Sequence, residues 1–132
     1  MQNNSDLKYV RLQVIHPLLY ELMRKVHTEE EINFMCNNID ENSELWMCYN
    51  DKPVGFIYYY VANSVPVAVQ VGGCYIRPGH SNVGKVLMEK VENFARGKNI
   101  KYITASVKRS TKGFQRKYGF KVHSTNIIRE VK

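Results

Sequence analysis

The chain has 132 residues, 44% of them hydrophobic and 23% charged, enough apolar material for one core and too little length for a second domain. Its net charge is +7, and the excess is one-sided: residues 1–95 carry 8 Lys/Arg against 11 Asp/Glu, whereas residues 96–132 carry 11 Lys/Arg against Glu130 alone. Such a field attracts an anionic partner: a phosphorylated cofactor, an acidic protein or nucleic acid. No apolar run approaches the roughly 20 residues that cross a bilayer, and the first ten residues lack a signal-peptide core, so a cytoplasmic protein is expected. Cys36, Cys48 and Cys74 are widely spaced with no CxxC pair, which argues against a disulfide framework or a structural zinc site and predicts small buried or half-buried thiols. His16, His27, His80 and His123 fall in neither an HxxxH nor an HExxH pattern, so no metal is expected.

Along the chain, residues 7–14 alternate as a first strand. His16-Pro17 closes it and suits a helix start, since proline restricts the residue before it and fits the first helical turn. Residues 17–26 put Leu18, Leu22 and Val26 on one helical stripe. Thr28 and Glu31 have capping-box spacing and open a second helix carrying Ile32, Met35 and Cys36. Two strands, 44–49 and 54–61, flank the turn-rich Asn50-Asp51-Lys52-Pro53 and read as a hairpin. Residues 65–77 form a β-branched central strand, interrupted at Gly72-Gly73 as at a bulge or a close backbone approach. Val83, Val86, Leu87, Val91 and Phe94 then repeat at helical spacing towards Gly97 as a C-cap. Residues 101–107 form a strand, 112–119 a short helix pairing Phe114 with Tyr118, and two last strands lie near 120–123 and 126–131. With no repeat, linker or low-complexity tract, residues 1–132 read as a single α/β domain: a mixed sheet of about six or seven strands flanked by helices.

The turn at residues 78–84, PGHSNVG, joins the central strand to the long helix with no acidic side chain. A helix start carries unpaired N–H groups and about half a positive charge. With Ser81 or Asn82 as N-cap, the amides of Val83, Gly84 and Lys85 are free to hold a phosphate, and Gly84 presents no Cβ. An ordinary capped helix start fits the same residues.

Three pieces carry a family resemblance. Ile76-Arg77-Pro78 ends the central strand, Val83-Gly84 with Val86-Leu87 opens the helix, and Phe114-Gln115-Arg116-Lys117-Tyr118-Gly119-Phe120 follows the last long strand. In these residues and in the order of its elements the chain resembles the GNAT N-acetyltransferase superfamily, as a short and divergent member. The resemblance implies acetyl-coenzyme A as co-substrate. It also implies a pyrophosphate loop made of His80, Asn82, Val83, Gly84 and Lys85, and backbone amides of Cys74, Tyr75 and Ile76 that polarise the thioester carbonyl. The acceptor would be a lysine, an N-terminus or a small amine, attacked directly, on a monomer or a homodimer with an acidic protein as one possible target.

His80 and Asn82 stand where the family prefers glycines, and Gln115 stands where it carries the tyrosine that protonates the leaving thiolate. Glutamine is no such acid, which leaves Tyr118 and Ser110 as the nearest replacements and Tyr118 also as a core residue beside Phe114. For a base, Glu41 and Glu44 read as exposed loop charges, and His80 as a donor to phosphate. Tyr58-Tyr59-Tyr60 alternate, one face for the core and one for an acceptor cleft. Two further readings use the same residues: a nucleic-acid-directed protein built on the cation-and-aromatic run 106–121, and a coenzyme-binding protein without turnover.

Overall fold

The computed structural model describes residues 6–106, 121–123 and 126–131. In chain order its elements are β1 (Lys8–Leu12), α1 (Pro17–Met23), α2 (Glu29–Asn37), β2 (Ser43–Tyr49), β3 (Pro53–Ala62), β4 (Ala68–Ile76), α3 (Ser81–Gly97), β5 (Tyr102–Ser106), β6 (Lys121–His123) and β7 (Asn126–Glu130). The strands make one seven-stranded sheet ordered β1-β2-β3-β4-β5-β7-β6. β4 and β5 are parallel, and α3 supplies the crossover that a parallel pair needs. The other pairs are antiparallel, and of these β2–β3, β3–β4 and β6–β7 are joined by short connections. The mixed sheet flanked by helices is therefore as expected. The helix expected over 112–119 lies outside the described residues.

Local chemistry explains the helix starts. Pro17 occupies the first turn of α1, and the His16 ring accepts the Leu18 N–H at 3.1 Å. Thr28 and Glu31 form the reciprocal capping box: Thr28 Oγ1 accepts from Glu31 N at 3.2 Å and Glu31 Oε1 accepts from Thr28 N at 2.9 Å. α1 is not buried along the Leu18–Leu22–Val26 stripe. Its inward residues are Leu19, Leu22 and Met23, while Leu18 is 50% and Val26 38% exposed. The helix stops at Met23, so Val26 never completes the stripe, and the short helix rotates to bury the adjacent 19/22/23 face. Gly97 is the last helical residue and not the C-cap; the left-handed position is Asn99, with φ 57°, a conformation that asparagine tolerates. Of the thiols, Cys48 is buried, but Cys36 and Cys74 are exposed, against the expectation of three enclosed ones.

The sheet is covered on both faces. On one, α3 lays Val83, Leu87, Met88, Val91, Phe94 and Ala95 over Ile57, Tyr59, Val69, Val71, Ile103 and Ala105. On the other, α1 and α2 lay Leu19, Leu22, Met23, Ile32 and Met35 over Leu45, Phe56 and Tyr58. The period of two in β3 thus sends Phe56, Tyr58 and Tyr60 to the α1/α2 side and Ile57, Tyr59 and Val61 to the α3 side. The chain between α2 and β2 is tied down through the buried Ser43, whose hydroxyl donates to Asn38 O at 2.6 Å and accepts from Asp40 N at 2.8 Å.

Candidate functional site

β4 and β5 run parallel from their first residues. Among the described residues they pair over Val69–Val71 with Ile103–Ala105, and Thr104 Oγ1 donates to Gln70 Oε1 at 2.6 Å. β4 continues to Ile76, paired with β3 through Gly73, Cys74, Tyr75 and Ile76. The peptide groups of 72–76 that face away from β3 have no ladder partner among the described residues.

A bulge lies at the end of that described pairing. Tyr58 pairs with Gly73 and Tyr59 with Val71, leaving Gly72 as an extra residue in β4. A bulge sharpens local twist and re-aims the strand. It also turns both glycines to the α1/α2 side. A Cβ on Gly72 would lie 3.0 Å from Tyr58 Cδ2 and 3.1 Å from Tyr60 Cε1, and one on Gly73 would lie 3.0 Å from both His27 Nε2 and Met35 Sδ. The interruption foreseen at Gly72-Gly73 is thus a close approach by aromatic rings and an imidazole. Beyond it, Cys74 is exposed, whereas Tyr75 packs against the α1/α2 layer and Ile76 against the α3 layer.

Beyond Ile76 the chain turns through Gly79, in the left-handed region with φ 88°, into α3. The N-cap is His80, not Ser81 or Asn82, and its side chain makes no capping bond. The helix therefore starts one or two residues earlier than expected, and the unpaired amides of its first turn move with it. Ser81 and Asn82 are the first two helical residues, both exposed, while the Val83 N–H already bonds His80 O at 3.1 Å. Gly84 lies on the buried stripe with Leu87, Met88 and Val91, facing the sheet, so its missing side chain helps to seat α3. Lys85 is exposed in the first turn. Arg77 is committed elsewhere, its Nε donating to Pro53 O at 2.9 Å.

The wall on the α1/α2 side consists of Phe34, Tyr58, Tyr60, Met35 and His27. The Phe34 ring stands edge-on to Tyr58 at 6.4 Å and to Tyr60 at 5.5 Å, and His27 edge-on to Phe56 at 5.8 Å. Tyr58 donates to Asn38 O at 2.7 Å, and burial pushes its phenol up to about 12; burial also raises Tyr60. His27 was considered in the sequence only for metal and set aside. Its spacing to Glu31, one helical turn ahead of a capping box, was the signal available.

Glu44 is no loop charge. It is half-buried on the opposite face, where its Oε1 accepts from Tyr59 Oη and from Trp46 Nε1 at 3.0 Å, and its Oε2 lies 3.6 Å from Arg11 Nη1. Glu41 is exposed. Ser110, Gln115 and Tyr118 lie outside the described residues, as does most of the basic run.

A mixed sheet with one long helix crossing between two central parallel strands is the architecture of the acyl-coenzyme A N-acyltransferases. The family model described as the acetyltransferase (GNAT) family matches residues 12–120, and the chain belongs to that family. Solved structures agree in fold. A GNAT family acetyltransferase from Elizabethkingia anophelis with acetyl-CoA bound superposes with a TM-score of 0.74 at 16% identity, covering 96% of this chain and 99% of that one. The ribosomal-protein-S18-alanine N-acetyltransferase from Escherichia coli gives 0.72 at 12% identity over 95% of each chain. An acetyltransferase of the GNAT family from Staphylococcus aureus gives 0.70 at 15% identity over 95% and 100%. A search of curated protein sequences finds no match. No helix among the described residues is long and apolar enough to cross a membrane.

Proposed function

We propose that this chain is an acetyl-coenzyme A-dependent N-acetyltransferase that passes the acetyl group directly to an amine. The observation that carries the reading is that β4 runs on past its described pairing with the parallel β5 and turns directly into the start of α3. Family membership and the acetyl-CoA bound to the Elizabethkingia anophelis structure support it. In this reading the coenzyme thioester lies along Cys74, Tyr75 and Ile76, whose inward N–H groups polarise its carbonyl as charge develops on oxygen. The pyrophosphate rests on the first-turn amides of α3 at Ser81 and Asn82, with His80 and Lys85 as cationic or donor side chains beside it. The acceptor comes from the α1/α2 side, across the glycine bulge. The single domain acts in the cytoplasm, and its basic C-terminal third adds attraction for the coenzyme phosphates.

Titration calorimetry with acetyl-coenzyme A, and with coenzyme A, tests the binding. Asn82→Glu sharpens it, because one carboxylate acts in opposite directions on the two states. Near a helix N-terminus it stabilises the free protein by about 0.3–1 kcal/mol, but it repels a pyrophosphate. The expected result is a melting temperature that is unchanged or raised without coenzyme, together with an affinity at least about tenfold weaker, roughly 1.4 kcal/mol. An affinity equal to that of the wild type would remove the pyrophosphate from this helix.

A further inference from the structure

With the pyrophosphate at the start of α3 and the thioester beside Cys74, Tyr75 and Ile76, the coenzyme has one direction along β4. It enters at the C-terminal end of the strand, and its acyl group points back towards Gly73 and Gly72. That end is walled. Ahead of the acyl group, Val71 is paired with Ala105 of the parallel β5, and this ladder stops any chain that runs on along the edge of β4. On the α3 side Val71 belongs to the packed layer that holds Val83 and Leu87.

On the α1/α2 side, the room that two glycines would leave is taken by other residues. A Cβ on Gly72 would lie 3.0 Å from the Tyr58 ring and 3.1 Å from the Tyr60 ring. A Cβ on Gly73 would lie 3.0 Å from both His27 and Met35. Ordinary carbon contacts are about 3.5–4.0 Å, so even one added carbon crowds these neighbours. Gly73 is buried, whereas Gly72 is exposed although the direction of its Cβ is filled, so the accessible surface of Gly72 is on its backbone. That strip is the way in for the acceptor amine, and an acyl chain leaving through it would take the amine's place.

We propose that this walled end sets the length of the acyl group, admitting acetyl and excluding longer chains, with Tyr60 as the residue that fixes the limit. The inference rests on the acetyltransferase reading and deepens it by assigning donor selectivity to the aromatic wall. Tyr60 is singled out by its place in that wall. Tyr58 is fully buried and donates to Asn38 O at 2.7 Å, and Met35 is buried in the core beneath α2. Tyr60 is half-buried at the border of the same layer. Its ring stands 5.5 Å from Phe34 and 5.8 Å from Tyr58, and Phe34 is itself 46% exposed. Removing the Tyr60 ring therefore opens a ring-sized space beside Gly72 while Tyr58, Met35 and the core beneath them stay in place.

The test is calorimetric and needs no acceptor: wild type and Tyr60→Ala are titrated with coenzyme A and with its acetyl, propionyl and butyryl thioesters. One methylene in a fitted apolar pocket is worth about 10–200-fold. The wild type is therefore expected to bind butyryl-coenzyme A at least about tenfold more weakly than acetyl-coenzyme A, with propionyl between them. Tyr60→Ala is expected to leave coenzyme A binding unchanged and to bring butyryl-coenzyme A level with acetyl-coenzyme A. General loosening of the protein would lower all four affinities together, so the butyryl-to-acetyl ratio is the quantity read. Should Tyr60→Ala fail to fold, Tyr60→Leu, which keeps an apolar contact for Phe34, carries the same comparison. Equal affinity of the wild type for the acetyl and butyryl thioesters, or a ratio that the Tyr60 variant leaves unchanged, overturns the proposal, while tight acetyl-coenzyme A binding keeps the acetyltransferase reading. Failure of the wild type to bind any of the four overturns both.

Discussion

The two faces of the sheet are built to different ends. Under α3 the contacts are mostly between Val, Leu, Ile and Ala, with Met88 and Phe94 among them, and the phenol buried there among the described residues, Tyr59, is pinned by the Glu44 carboxylate it donates to. Under α1 and α2 the layer is thinner and chemically mixed: two short helices, two glycines that admit close neighbours, a thioether, several phenols and an imidazole. A 17-residue helix laid along the sheet closes its face; helices of 7 and 9 residues with a turn between them leave polar groups at their junction. The difference teaches that burial alone does not mark the site. Tyr58 and Tyr59 are equally buried neighbours, yet one borders the glycine bulge and the other lies in the inert face.

Four substitutions break or sharpen this contrast. The largest effect belongs to the α3 face. Leu87→Ala leaves a cavity in its most regular packing and is expected to cost about 2–5 kcal/mol in a urea unfolding series, with catalysis at low temperature little altered. Gly73→Val is smaller in stability and larger in function. Its side chain meets His27 and Met35 where even a Cβ is at 3.0 Å, so a loss of about 1–3 kcal/mol is expected from overpacking. Acetyl transfer should fall by far more than the remaining folded fraction explains. A transfer rate that simply follows the folded fraction would make the bulge a packing feature alone.

The smallest effects separate the neighbouring tyrosines. Tyr59→Phe removes a hydrogen bond to the charged Glu44, which keeps Trp46 and Arg11, and should cost about 1.5–3 kcal/mol, whereas Tyr58→Phe gives up a bond to a carbonyl and should cost about 0.5–1.5 kcal/mol. Tyr58 also sets an alkaline limit. Its phenol is pushed up to about 12 by burial, so above pH 10 the unfolded chain releases a proton that the folded chain keeps. That contribution to stability is complete below pH 10 and is lost as pH rises towards 12. Thermal melts between pH 9 and 12 should fall less steeply in Tyr58→Phe.

Much of the fold was legible because each element carries a local cause. His16-Pro17 and the Thr28–Glu31 box announce their helices, the 50–53 turn its hairpin, and Gly72-Gly73 a break in the central strand. The errors were errors of rotation and of boundary. Leu18 and Val26 lost their stripe because α1 stops at Met23, and the α3 N-cap moved to His80 because Gly79 could take the left-handed turn before it. Glu44 read as an exposed charge because nothing local shows that Tyr59 lies opposite it in the next strand.

By itself, then, the sequence determined the element order, the mixed α/β sheet and the family, since capping, period and turn chemistry act within a few residues. Only the tertiary structure decided which side of the Gly72-Gly73 bulge meets His27. That contact joins residues some forty-five positions apart, which sheet register and helix placement bring together and no local pattern encodes.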